Sequence, residues 1–171
     1  YTEAVFADME NHCDKNYAEG LYRLGIVKGR SKGIYAPDEP LNRAEFTKIV
    51  IESIGEETED LAEIEDAYFP DVNLYAWYAP YVKKAKELGM VNGYPDGTFQ
   101  PENPVNRAEA IKMLITGFGF DLSTADSFNA QEIYPDIDAG AWYYSSMNFA
   151  VKNGLLDGIR TPNGIILPDF G

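Results

Sequence analysis

One cysteine and one histidine in 171 residues withdraw several chemistries at once. Cys13 has no partner for an internal disulfide, so the chain is not a disulfide-stapled mini-protein, and a lone thiol does not separate a reducing compartment from a cell surface. His12 adjoins Cys13, but neighbours on one backbone rarely meet in the geometry a nucleophilic pair needs, and no second histidine exists to help. Basic residues are also scarce. Fourteen against 28 acidic residues give a formal net charge of −14, which opposes attraction to nucleic-acid phosphates. A local cation in a cleft still acts at short range, because salt screens distant carboxylates over roughly 10 Å. No apolar run approaches the roughly 20 residues of a membrane helix. Tyr1 is preceded by neither a start methionine nor a basic-then-apolar leader, so the chain is read as a mature or excised segment. Asp71 and Asp96 lie outside any Asp-x-Asp-x-Asp spacing and suit turns and caps, so no cofactor is expected, calcium being the one metal alternative.

What is present is a repeated block. The middle copy runs Phe69-Pro70-Asp71-Val72, Trp77-Tyr78, Leu88-Gly89-Met90-Val91, Gly93-Tyr94-Pro95-Asp96-Gly97-Thr98-Phe99 and Asn106-Arg107-Ala108-Glu109. Upstream the same order reads Phe6-Ala7-Asp8-Met9, Leu24-Gly25-Ile26-Val27, Gly29 and Asn42-Arg43-Ala44-Glu45. Downstream it reads Tyr134-Pro135-Asp136-Ile137, Trp142-Tyr143, Gly154-Leu155-Leu156 and Gly158. Gly29, Gly93 and Gly158 recur at intervals of 64 and 65 residues, which marks tandem modules. The reading divides the chain into a first repeat over 1–55, an acidic connector over 56–67, a second repeat over 68–120, a connector over 121–132, and an incomplete third repeat over 133–171.

Each unit reads as helix, loop, helix. Trp77, Tyr81, Ala85 and Leu88 form an apolar stripe of helical period, and Gly89 is placed to end that helix. Tyr94-Pro95-Asp96-Gly97 supplies a turn, and Phe99 returns to cover the core. Asn106 and Glu109 have the spacing of a capping box, as do Asn42 and Glu45, so these four are read as structural caps rather than catalytic acids. The tryptophans are read as core residues first and groove edges second.

These residues resemble the S-layer homology repeat of bacterial cell-surface proteins, and the likeness is densest over positions 69 to 114. The resemblance implies an all-α array of helix-loop-helix repeats in a pseudo-threefold arrangement, the third repeat truncated. It also implies noncovalent attachment to the cell wall, with a secondary wall polysaccharide, often pyruvylated, bound in the grooves between repeats. Carried over by position, Arg43 and Arg107 become the cations for the polymer's acidic group. Arginine's planar fork suits a carboxylate, and a first helical turn offers backbone amides to an anion. Trp77 and Trp142 would face sugars. Asp8, Asp71 and Asp136 would accept hydrogen bonds from sugar hydroxyls or nearby backbone, and Gly29, Gly93 and Gly158 would allow close backbone approach.

Departures from the pattern limit this. Asn42 and Asn106 replace the family's threonine, and Cys13 stands where the repeat register places a tryptophan. The third copy ends at Leu167-Pro168-Asp169-Phe170-Gly171, where its capped helix should begin, so either a longer polypeptide or another chain would complete it. The alternative functions are an assembly subunit of a surface lattice or filament, partnered by copies of itself or the rest of a surface-layer protein, and, as a minor reading, a wall-glycan hydrolase using a carboxylate pair. The expected location is extracellular, in the cell wall or surface layer.

Overall fold

The computed structural model describes residues 5–135 and 137–156. Asp136 and Gly158, both candidates above, lie outside the described residues. Those residues are all-α: five helices and short 3-10 turns, with no strand and only isolated bridges at Ser31–Ile34 and Asn42–Pro104. None of the helices is long and apolar enough to cross a membrane. The chain forms two compact units that divide between Leu41 and Asn42.

The first unit holds helix α1, Lys15–Arg23, which follows a 3-10 turn at Ala7–Met9. Phe6, Met9 and Ala18 form its small core with Val5 and Tyr35 packed alongside. Phe6 meets Tyr22 edge-on at 5.3 Å and Tyr35 at 5.2 Å, so one aromatic anchors both the helix and the returning loop.

The second unit contains α2, Arg43–Ile54; α3, Ala79–Glu87; α4, Arg107–Gly117; and α5, Tyr144–Lys152. Helix α2 packs on α3 and α4, and α5 packs on α4. Val50 and Ile51 of α2 share one core with Val82, Ala85, Met90, Phe99 and Met113. The first copy's second helix therefore belongs structurally with the middle copy, although the sequence groups it with residues 1–55. A second core gathers Ile115, Ala125, Ala130, Ile137, Met147 and Phe149.

Both capping boxes form. The Asn42 side chain accepts from Glu45 N at 2.8 Å while Glu45 Oε2 accepts from Asn42 N at 3.0 Å, and Asn106 and Glu109 do the same at 2.9 and 3.1 Å. Gly89 follows α3 with φ +69°, the left-handed geometry that closes a helix. The apolar stripe of α3 holds at Ala85, with Tyr81 packed at the edge of the core, and is corrected at its two ends. Tyr78, Val82 and Ala85 are buried, whereas Trp77 and Leu88 are exposed. Pro80 in the first turn lets the helix start at Ala79, so Trp77 stays in the preceding turn and Tyr78 turns inward.

Both connectors contribute side chains to the cores. Ile64 and Ala67 enter the larger core, and Ala125 and Ala130 the smaller one. Lys83 pairs with Glu59 at 2.7 Å, and Lys84 with Glu56 at 3.7 Å, holding the acidic connector against α3. From α5, buried Asn148 accepts from Ala130 N and donates to Phe128 O, both at 2.9 Å, which satisfies connector backbone that would otherwise be orphaned.

Candidate functional site

The repeated loops are built the same way twice. Asp71 accepts from Phe99 N at 2.8 Å and Gln100 N at 2.7 Å. Asp8 accepts from Tyr35 N at 3.0 Å and Ala36 N at 2.6 Å. Ala36 and Gln100 both adopt positive φ, +61° and +59°. Two consecutive amides thus form a concavity that the carboxylate fills, and those hydrogen bonds hold Asp8 below the usual carboxylate range. The oxygens of both aspartates are engaged by backbone. Gly29 and Gly93 allow close approach too, but to their own core: a β-carbon would lie 2.7 Å from the Phe6 ring at Gly29 and 2.5 Å from the Phe69 ring at Gly93.

In the middle copy the turn closes through Gly97 N to Tyr94 O at 2.9 Å, with Asp96 Oδ1 accepting from Thr98 N at 2.9 Å. This geometry sends Tyr94 toward α4, where its hydroxyl donates to Glu109 Oε1 at 2.5 Å. Glu109 therefore divides its labour. Oε2 closes the capping box, while Oε1 receives Tyr94 and lies 3.1 Å from Arg43 Nη1.

Arg43 reaches this point from α2 and is only 6% exposed. Its guanidinium carbon sits 4.9 Å from the Tyr94 ring centre and 5.1 Å from that of Phe99. The Nη1 contact is an ion pair by distance, yet neither Nε nor Nη1 has an aligned hydrogen-bond acceptor among the described residues. The expectation of free amides beside Arg43 is corrected. Arg43 N donates to Asn103 O at 2.8 Å, Ala44 N to Pro101 O at 3.0 Å, and Glu45 N to the Asn42 cap, so the first turn of α2 is saturated by a neighbouring loop and its own cap. Arg107 is half-buried at the start of α4, and burial lowers its affinity for a proton.

Arg43, Tyr94, Glu109, Lys112 and Trp142 line a cavity of about 400 Å³, floored by Met90 and Met113. All three copies contribute: α2 from the first, the loop and α4 from the second, Trp142 from the third. The core reading of the tryptophans is corrected, since Trp77 is 49% and Trp142 58% exposed. Each stands edge-on to the tyrosine that follows it, at 5.4 and 5.3 Å. Lysines, which sequence reasoning overlooked, lie over both rings. Lys112 Nζ is 5.1 Å from the Trp142 centre, and Lys48 Nζ is 5.8 Å from that of Trp77, within cation–π range. Their signal was available: Lys48 and Lys112 each follow the repeated arginine by five positions.

Tyr94 is pushed up to about 12, first by burial and then by its hydrogen bond to Glu109. A tyrosine whose folded value exceeds its unfolded value of about 10 contributes stability fully present below pH 10 and lost as pH rises toward 12. The difference in 295 nm absorbance between the protein and Tyr94→Phe should accordingly develop near pH 12. A difference centred near pH 10 would show that the hydroxyl is neither buried nor held by Glu109.

The S-layer homology domain profile matches residues 5–47 and 68–111, the two stretches that carry the repeated block. The chain is 32% identical over 158 residues to the Middle cell wall protein of Brevibacillus brevis, covering 92% of this chain and 13% of that protein. It is 30% identical to the Surface layer protein of Brevibacillus choshinensis, over 84% of this chain and 12% of that protein. It is 31% identical to the Cellulosome-anchoring protein of Acetivibrio thermocellus, over 49% of this chain and 19% of that protein. The chain thus spans a small part of the length of each of these relatives. With the profile matching both clamped loops and the capped helix start that follows each, the chain belongs to the S-layer homology family and is a cell-wall or cell-surface module.

Proposed function

We propose that the chain anchors a larger surface protein to the cell wall by holding an acidic wall polysaccharide in the groove between Arg43, Tyr94, Lys112 and Trp142. The observation that carries this reading is the cavity itself. Its volume of about 400 Å³ suits one or two sugar rings, the exposed Trp142 is part of its lining, and two cations line it against one carboxylate. A local excess of positive charge in a chain of net charge −14 selects an anion at short range while the remaining surface repels one. The names of the Middle cell wall protein and the Cellulosome-anchoring protein support the same reading. Glu45 and Glu109 are committed to helix caps, which favours a binding module over a hydrolase.

The test is co-sedimentation of the purified chain with isolated sacculi, before and after the secondary polymer is stripped, alongside Trp142→Ala. Binding should vanish on stripping and fall about tenfold in the variant, the loss expected for one aromatic stacking platform. Equal binding to intact and stripped sacculi would overturn the polymer as ligand. Assembly into a surface layer is the second reading, favoured by the likeness to a Surface layer protein. It predicts a mass by light scattering that rises with concentration in the absence of polymer.

A further inference from the structure

Lys48 and Lys112 occupy the same place in successive copies, each with its ammonium over a tryptophan, but their surroundings differ in one respect. Lys48 has a carboxylate partner: Glu52, one turn on, lies 3.7 Å from Nζ. Glu52 is fixed there by Tyr81, whose hydroxyl donates to Oε1 at 3.1 Å, and the Tyr81 ring sits 5.7 Å from the same ammonium. In the next copy both members of this clamp are replaced. Thr116 stands where the register puts Glu52, and Ser146 where it puts Tyr81. Lys112 has no ion-pair partner among the described residues. Burial first, and then the positive charge of Arg43, make its ammonium easier to deprotonate. Arg43 is a poor competitor for a ligand. Its faces are covered by Tyr94 and Phe99, its charge is balanced by Glu109 at 3.1 Å, and Nε and Nη1 are buried.

We infer that Lys112, not the arginine of the repeated motif, makes the direct contact with the anionic group of the polymer, and that Glu52 and Tyr81 switch off the equivalent lysine, Lys48. This rests on the groove function proposed above and assigns its specificity. An uncompensated ammonium at the rim, beside an exposed indole, binds a carboxylate and the sugar that carries it in one step. Arg43 is the positioning residue beneath: together with Glu109 it fixes Tyr94 and hence the loop that closes the cavity. The Lys48 surface, with Glu52 in place, presents a neutral pair that gives no reward for a carboxylate.

The experiment measures binding of the chain to polymer-bearing sacculi and to the same sacculi with their carboxylates converted to neutral amides. Lys112→Ala should bind intact sacculi about ten- to a hundredfold more weakly, the loss expected for one charge-assisted hydrogen bond, and Lys112→Arg should recover most of it. Thr116→Glu, which installs the carboxylate that Lys48 already faces, should weaken binding about tenfold without removing any group the ligand touches. Lys48→Ala should stay within about twofold of the unaltered protein. On amidated sacculi the unaltered protein should fall to the level of Lys112→Ala. Thermal unfolding of each variant separates lost binding from lost structure, and Thr116→Glu on the helix surface keeps the test decisive should Lys112→Ala unfold. Intact binding by Lys112→Ala and Thr116→Glu, or an equal loss in Lys48→Ala, would overturn the assignment while leaving the anchor reading in place. Failure of the unaltered protein to bind intact sacculi would overturn both.

Discussion

Glu109→Ala should destabilise the second unit by about 3–5 kcal/mol, the range for removing one partner of a buried ion pair. The substitution has three consequences. It opens the capping box of α4, removes the acceptor of the Tyr94 hydroxyl, and leaves the Arg43 guanidinium buried without a counter-charge. The third dominates, because Arg43 is 6% exposed and an uncompensated buried charge is costly. Asn106→Ala, which removes only the side-chain cap, should cost about 1 kcal/mol. Urea unfolding of the two variants side by side reads the difference. Equal losses would mean that the Arg43–Glu109 pair contributes nothing beyond the cap. A combined Arg43→Met/Glu109→Ala variant should recover part of the loss, since the uncompensated charge is then gone.

Gly93→Ala should cost about 2–5 kcal/mol, against about 1–2 kcal/mol for Gly97→Ala, from left-handed strain of ~1–2 kcal/mol at either site and overpacking of ~1–3 kcal/mol at the first. The two glycines share almost the same backbone, φ +84° and +83°, but not the same surroundings. A β-carbon at Gly97 meets nothing within 4 Å. At Gly93 it would lie 2.5 Å from Phe69 Cε1 and 2.9 Å from Thr98 O. Thr98 O accepts from Tyr94 N at 2.8 Å, so it cannot retreat without opening the turn, and Phe69 packs on Phe99 at 5.5 Å. Displacement there spreads to the rings that cover Arg43, so Gly93→Ala should weaken sacculus binding as well as stability, whereas Gly97→Ala should leave binding unchanged. Identical melting temperatures for the two variants would disprove the steric part of the argument.

The sequence by itself determined the periodic and local features. Repeats near 64 residues, two capping boxes, the Gly89 helix stop and the turn through Asp96 and Gly97 are written in residues a few positions apart, where backbone geometry and short hydrogen bonds decide the outcome. The family was legible for the same reason, since its motifs are those local devices in a fixed order. Tertiary structure alone decided where α2 packs, because a helix capped in one copy can bury its Val50 and Ile51 against the next, and periodicity says nothing about which neighbour accepts them. It decided that Tyr78 rather than Trp77 enters the core, since α3 starts only at Ala79 with Pro80 in its first turn. It also decided the fate of the charges. Glu109 looked like a cap and is one, but its second oxygen meets Arg43 from a helix 64 positions earlier in the repeat register. Lys112 carried no signal of its own until Trp142, 30 residues further on, came to lie beneath it. Charge pairing and ring contact depend on distances in space that fall off within a few ångströms, and those distances are fixed only when elements far apart in the chain have packed.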